Sequence, residues 1–157
     1  MDALLRRTHA PDVDRLVAGA VVHVEGRVLV ARRASGDDFL PGIEELPSGG
    51  CEADETLGEC LDRELGEEIG WSGPVRLDPG FVAEFDYLSG SGARTRQYTF
   101  AVPLGAQVVR LSAEHTGWRW LGRDDLGDSD LTTETRQVLE EWWSHRDAAD
   151  GADGTGG

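Results

Sequence analysis

The sequence predicts a single α/β domain organised around a mixed β-sheet. Three observations carry that prediction. Two Val- and Ala-rich runs near the N-terminus are joined by a short polar turn, a well-punctuated amphipathic helix follows, and further strand-like runs lead to a second helix. The 157 residues suit one domain with a real core, and 39% hydrophobic with 29% charged residues is ordinary for a globular protein. We expect the domain to span residues 1–146.

In chain order, Arg15–Val24 (RLVAGAVVHV) and Arg27–Arg33 (RVLVARR) flank Glu25-Gly26, the pattern of a β-hairpin. Ala34–Pro47 holds Gly36, Pro41, Gly42 and Pro47 and reads as a long loop. Ser48–Glu55 reads as a second one. A helix then begins at Thr56, which with Glu59 fits a capping box, and stops at Gly70. Gly80–Leu88 and Thr95–Leu104 look like strands around the turn Ser89–Ala93, with Gln107–Leu111 and Trp118–Leu121 as shorter ones. Leu131–Arg146 reads as a closing helix with Leu131, Val138, Leu139, Trp142 and Trp143 as its apolar candidates. Asp147–Gly157 has almost nothing to bury and reads as a disordered tail.

The formal net charge is −15, and all 15 basic residues are arginine. Such a balance repels polyanions, so a nucleic-acid-coating role is excluded. A small anionic substrate remains compatible if divalent cations bridge it to the protein. No apolar run approaches the ~20 residues of a membrane span, and the N-terminus lacks a signal-peptide pattern. Cys51 and Cys60 form no CxxC pair, so reduced thiols and a cytoplasmic setting are expected.

Gly49–Trp71 (GGCEADETLGECLDRELGEEIGW) is the informative stretch. At about 100° per residue, Leu57, Leu61, Leu65 and Ile69 advance across one helix face that should pack on the sheet. Glu64, Glu67 and Glu68 cluster within about one turn, beside that stripe rather than opposite it. Carboxylates at such a boundary repel one another and are partly desolvated. A hard cation that takes oxygen ligands accounts for their placement.

An isolated RELxEE-like segment would read more simply as a solvated charge run. Here the spacing continues outward: Gly49, five residues, Glu55, seven residues, Arg63-Glu64-Leu65, one residue, Glu67-Glu68, one residue, Gly70-Trp71. Chance would match the seven Gly, Glu and Arg positions in on the order of one chain in 10⁵, which decides against the simpler reading. The pattern resembles the box of the Nudix (MutT-like) hydrolases. Trp71 stands where that family usually has an aliphatic residue. The resemblance extends to Val17–Arg33, to Leu40–Gly50 and to Glu114-His115 with Trp118 and Trp120. Two departures precede the box, Glu44 for a tryptophan and Ser48 for a glycine.

The resemblance implies an α/β/α sandwich with a mixed sheet, one catalytic helix and a C-terminal helix. It implies Mg²⁺, with Mn²⁺ as an alternative, held by Glu64, Glu67, Glu68 and a backbone carbonyl at Ser48. Glu64 would also orient or deprotonate the attacking water, and Glu114 would be a further ligand or general base from a separate loop. Glu55 and Arg63 would fix the loop on the helix, with Gly49 and Gly70 serving backbone geometry. Arg33, Arg32 and Tyr87 are the candidate substrate-binding residues. His115 and both cysteines read as structural. The implied reaction is hydrolysis of a diphosphate linkage in a nucleoside diphosphate derivative. The favoured case is a (deoxy)nucleoside triphosphate giving monophosphate and pyrophosphate. Alternatives on the same fold are a catalytically silent nucleotide sensor and a prenyl diphosphate isomerase. The expected partner is a small nucleotide-like diphosphate, with neither nucleic acid nor membrane, and with a homodimer left open.

Overall fold

Strands β1 (Arg15–Val24) and β2 (Arg27–Arg33) meet at Glu25-Gly26, both with positive φ (51° and 78°). This is the paired left-handed geometry of a two-residue hairpin turn, with a glycine where it costs least. The computed structural model describes residues 1–34, 42–113 and 115–154. The remaining elements are α1 (Asp2–Leu5), β3 (Glu44–Glu45), β4 (Ser48–Gly50), α2 (Leu57–Ile69), β5 (Val82–Leu88), β6 (Arg94–Pro103), β7 (His115–Leu121), a 3₁₀ turn (Arg123–Asp128) and α3 (Thr133–Gly154).

The strands form one mixed sheet in the order β3-β2-β1-β6-β5, with β4 paired to β1 and β7 to β2. β1 and β6 run parallel from Arg15↔Thr95 to His23↔Pro103, and the other pairs are antiparallel. Side chains alternate across β1. Leu16, Ala18, Ala20 and Val22 face α2, packing with Leu57, Leu61, Leu65 and Ile69. Val21 faces the other way, into a cluster with Val138, Leu139, Trp142 and Trp143 of α3. Helices thus cover both faces of the sheet, and burial of each large aliphatic side chain contributes about 1.5–3 kcal/mol. The α/β/α sandwich with a mixed sheet is the observed fold.

Helix α2 has the expected ends. Thr56 and Glu59 form both bonds of the capping box, and Gly70 takes the left-handed conformation at the stop (φ 71°). The apolar stripe is buried, and Glu64 and Glu68 are buried with it, at 9% and 6% exposure.

Several local expectations differ from the fold. β3 and β4 lie inside segments read as loops. They are too short for a periodicity signal and exist because β2 and β1 offer them open edges. Gln107–Leu111 is not a strand. Arg110 N–H instead donates to Ile69 O and, just beyond, Ser112 N–H donates to Glu68 O, so the segment satisfies carbonyls at the end of α2. Helix α3 continues to Gly154, through most of the segment read as unstructured. Arg123 pairs with Asp147 and Arg146 with Asp150 four residues on, while Ala148 and Ala149 are strong helix formers. The expectation of separate reduced thiols is corrected as well. Cys51 and Cys60 are joined in a disulfide, their Cα atoms 5.2 Å apart. The chain between them turns back from β4 onto α2, a return that their spacing alone does not reveal.

Candidate active site

β4 runs beside the acidic edge of α2, and the contact between them is built backbone to carboxylate. Ser48 N–H donates to Glu68 Oε2 at 3.0 Å. The Glu64 carboxyl lies so close over Gly49 that a Cβ there would fall 1.9 Å from Cδ, so only glycine fits while Glu64 keeps its place. Glu67 is the outermost of the three, with its side chain 60% exposed.

Arg63 ties this edge to the loop before the helix. Its Nε and Nη2 grip Glu55 at 2.7 and 2.8 Å, and Nη2 also donates to Gly50 O at 2.9 Å. Its Nη1 reaches Glu64 at 2.9 Å and Glu67 at 3.2 Å. The fork from Arg63 holds the Glu55 carboxyl below the usual range, and Glu55 in turn pushes the guanidinium pKa upward.

These groups open into a cavity of about 650 Å³. Glu64, Glu67, Glu68, Ser48, Gly49 and Gly50 form one side. Arg15, Arg33, Phe85 and Tyr87 contribute to the rest. The Phe85 and Tyr87 rings lie 5.8 Å apart, and burial raises the Tyr87 phenol pKa. Glu44, Glu45 and Glu134 are also among the lining residues, so acidic residues outnumber the arginines around the space.

The other candidates from the sequence are placed as follows. Arg33 lines the cavity with its Nη1 3.6 Å from Glu45. Arg32 is absent from the lining; it bonds Gly42 O and Asp130 and lies near Glu44. Gly70 closes α2 away from the cavity. Glu114 lies outside the described residues. His115 is buried, with Nε2 2.8 Å from Glu45 Oε1 and Nδ1 lacking a hydrogen-bond partner among the described residues. Sequence reasoning missed Arg15, Glu45 and Gln97 as cavity residues. Arg15 and Gln97 reach the cavity through the register of β1 and β6 beside β5, which pairs Arg15 with Thr95 and Gln97 with Phe85, and the sequence does not display that register.

The acidic edge fits a hard divalent cation. Its donors are all oxygen, Glu68 is aimed by a backbone amide, and Gly49 clears the space that Glu64 occupies. A second cluster, Cys51, Glu55 and Cys60, brings potential ligand atoms within 4.8 Å of one another. There the sulfurs are bonded to each other and Glu55 is held by Arg63, so these groups are already engaged.

Comparison with known proteins agrees with this geometry. The family model described as NUDIX domain matches residues 13–142. A "MutT-like protein" of Streptomyces ambofaciens is 36% identical over 117 residues, covering 71% of this chain and 66% of that protein. The "Nucleoside triphosphatase NudI" of Klebsiella pneumoniae (strain 342) is 26% identical over 138 residues, covering 81% and 95%. Among solved structures, the MutT protein from Methanosarcina mazei Go1 superposes with a TM-score of 0.71 at 23% identity. It covers 87% of this chain and 99% of its own, a likeness of fold. With the box intact on the matched span and the sandwich around it, the chain belongs to the Nudix family, as a hydrolase of pyrophosphate bonds in nucleoside diphosphate derivatives.

Proposed function

We propose that the chain hydrolyses (deoxy)nucleoside triphosphates to a monophosphate and pyrophosphate, with Mg²⁺, or Mn²⁺ in its place, held by Glu64, Glu67, Glu68 and the Ser48 carbonyl. The observation that carries this reading is the convergence of three α2 carboxylates with the β4 backbone on one cavity lined elsewhere by arginine and aromatic side chains. The name of the Klebsiella relative, a nucleoside triphosphatase, supports the choice within the class.

The metal, when bound, neutralises phosphate charge and lowers the pKa of a coordinated water. Glu64 orients the attacking water and accepts its proton. The water oxygen bonds to phosphorus, the bridging P–O bond breaks, and the bond electrons leave with the departing phosphate oxygen. Glu55 and Arg63 keep the loop seated on α2, and Gly49 and Gly70 give the backbone its path. Arg33 and Tyr87 contact the substrate. Arg32 acts through the Glu44 and Asp130 contacts that hold the end of β2.

A nucleotide panel with millimolar Mg²⁺, assayed for pyrophosphate release beside Glu67→Gln, tests the proposal. Triphosphates should be turned over, and the variant should lose on the order of 10²–10⁴ in rate. Tight nucleotide binding without turnover would instead favour the sensor. The isomerase would need a reactive thiol, and Cys51 is bonded to Cys60.

A further inference from the structure

Part of the cavity floor is sheet, and alternation along β6 sets which side chains form it. Tyr98, Phe100 and Val102 pack under α2, whereas Ala101 packs under α3. Thr99 and Gln97 therefore share the α3 face, Thr99 fully buried and Gln97 lining the cavity. Register sets Phe85 of β5 on one side of Gln97 and Val17 of β1 on the other. A Cβ on Gly19 would lie 3.0 Å from both Gln97 Nε2 and Ser48 Cβ, so the carboxamide also neighbours β4.

Gln97 is 9% exposed, and its two polar atoms are used unequally. Nε2 donates to Thr99 Oγ1 at 3.3 Å, whereas Oε1 has no hydrogen-bond partner among the described residues. The oxygen is not sealed from the cavity either. Among the described residues, the sealed side-chain atoms that lack a partner are Trp71 Nε1 and His115 Nδ1. Buried polar atoms in native proteins are paired, so this acceptor takes a donor from whatever fills the cavity.

We infer that Gln97 reads the nucleobase of the substrate, its Oε1 accepting from an exocyclic amino group. Adenine, cytosine and guanine nucleotides then bind more tightly than those of uracil and thymine. This rests on the proposed nucleotide site. The aromatic neighbour supports the placement, because a base stacked on Phe85 stands over the next strand and turns an edge to Gln97. Uracil and thymine present a carbonyl where cytosine presents its amino group. Against Oε1 that carbonyl leaves two acceptors facing each other unpaired.

Cytidine and uridine triphosphates differ at this one group and make the sharpest pair. Their α,β-methylene analogues, which resist the proposed cleavage, are titrated calorimetrically with Mg²⁺, with inorganic tripolyphosphate as the base-free control. The wild type should bind the cytidine analogue about 5–100-fold more tightly than the uridine one. Gln97→Met, similar in length but without a strong hydrogen-bonding group, should bring that ratio to within about 2-fold and leave tripolyphosphate binding unchanged. Gln97→Glu keeps an acceptor in place and should keep the order of the two bases. No preference in the wild type, an unaltered ratio in Gln97→Met, or equal weakening of all three ligands in that variant overturns the inference. Binding is read without turnover. A wild type that prefers the cytidine analogue yet hydrolyses no triphosphate would defeat the proposed reaction alone, whereas turnover of both with equal affinity would defeat the reading of Gln97 alone.

Discussion

Gly49 is where backbone and carboxylate approach most closely. Gly49→Ala places a methyl group inside the Glu64 carboxyl, so either β4 or Glu64 must move. A displacement of the order of 1 Å at a reacting group costs on the order of 10² in rate. We expect at least that loss, with circular dichroism and melting close to wild type because β4 is a short strand at the rim. Glu67 and Glu68 differ in setting. Glu68→Gln loses the charge that the Ser48 amide stabilises, whereas exposed Glu67 has no such amide contact among the described residues. Both glutamine variants should fall by about 10²–10⁴ in kcat. Wild-type rates in both would remove these residues from the site. Glu44 supplies the pH-dependent case. It is buried at 4% exposure, and Arg119 first, then the Asp130 amide, hold its carboxyl below its ordinary value of 4.5. Its stabilisation is therefore present above pH 4.5 and is lost as pH falls through the depressed value. Glu44→Gln should cost about 1–3 kcal/mol at neutral pH and flatten the acid limb of a melting-temperature profile.

Among the elements, α2 is held by two different ties. The capping box fixes its start, and the disulfide joins its second turn to the residue after β4. Closing a loop of this length stabilises a fold by about 2–3 kcal/mol in the chain-entropy account. Reducing agent should therefore lower the melting temperature by about 5–10 °C, and Cys51→Ser/Cys60→Ser should melt at the reduced value with or without reductant. Coincident melting of oxidised and reduced wild type would show that the bond adds nothing to the other ties between β4 and α2. Those ties include the Ser48 N–H bond to Glu68 and the Arg63 bond to Gly50 O.

For the whole molecule, a net charge of −15 makes cation binding a stability term, besides its part in the proposed reaction. Three acidic groups converging on one helix edge should bind Mg²⁺ in the folded state and not in the unfolded chain. Mg²⁺ at about ten times its Kd should raise the melting temperature by roughly 3–6 °C. That increment should vanish in Glu64→Gln/Glu67→Gln/Glu68→Gln, whose metal-free form should melt higher than wild type through relief of repulsion. An equal increment in both proteins would place the cation elsewhere. Among the described residues, no helix is long and apolar enough to cross a membrane.

The sequence by itself determined the fold class, the hairpin, both ends of α2, its buried stripe and the carboxylate cluster beside that stripe. Each of these depends on residues close together in the chain, where period, turn chemistry and capping act directly. It also located the apolar face of α3 through Val138, Leu139, Trp142 and Trp143, with Leu131 just before the helix, and all five are buried. Only the tertiary structure decided the rest. The two short strands exist because neighbouring edges pair with them, and Gln107–Leu111 is drawn off the sheet because α2 ends beside it. Arg32 turns to Glu44 and Asp130 while Arg33 faces the cavity, although the two are adjacent in one strand. Arg15 joins the cavity through a parallel pairing with β6, a partner some eighty residues away. Such placements follow from strand register and from competition among acids for a limited set of arginines, neither of which leaves a local pattern to read.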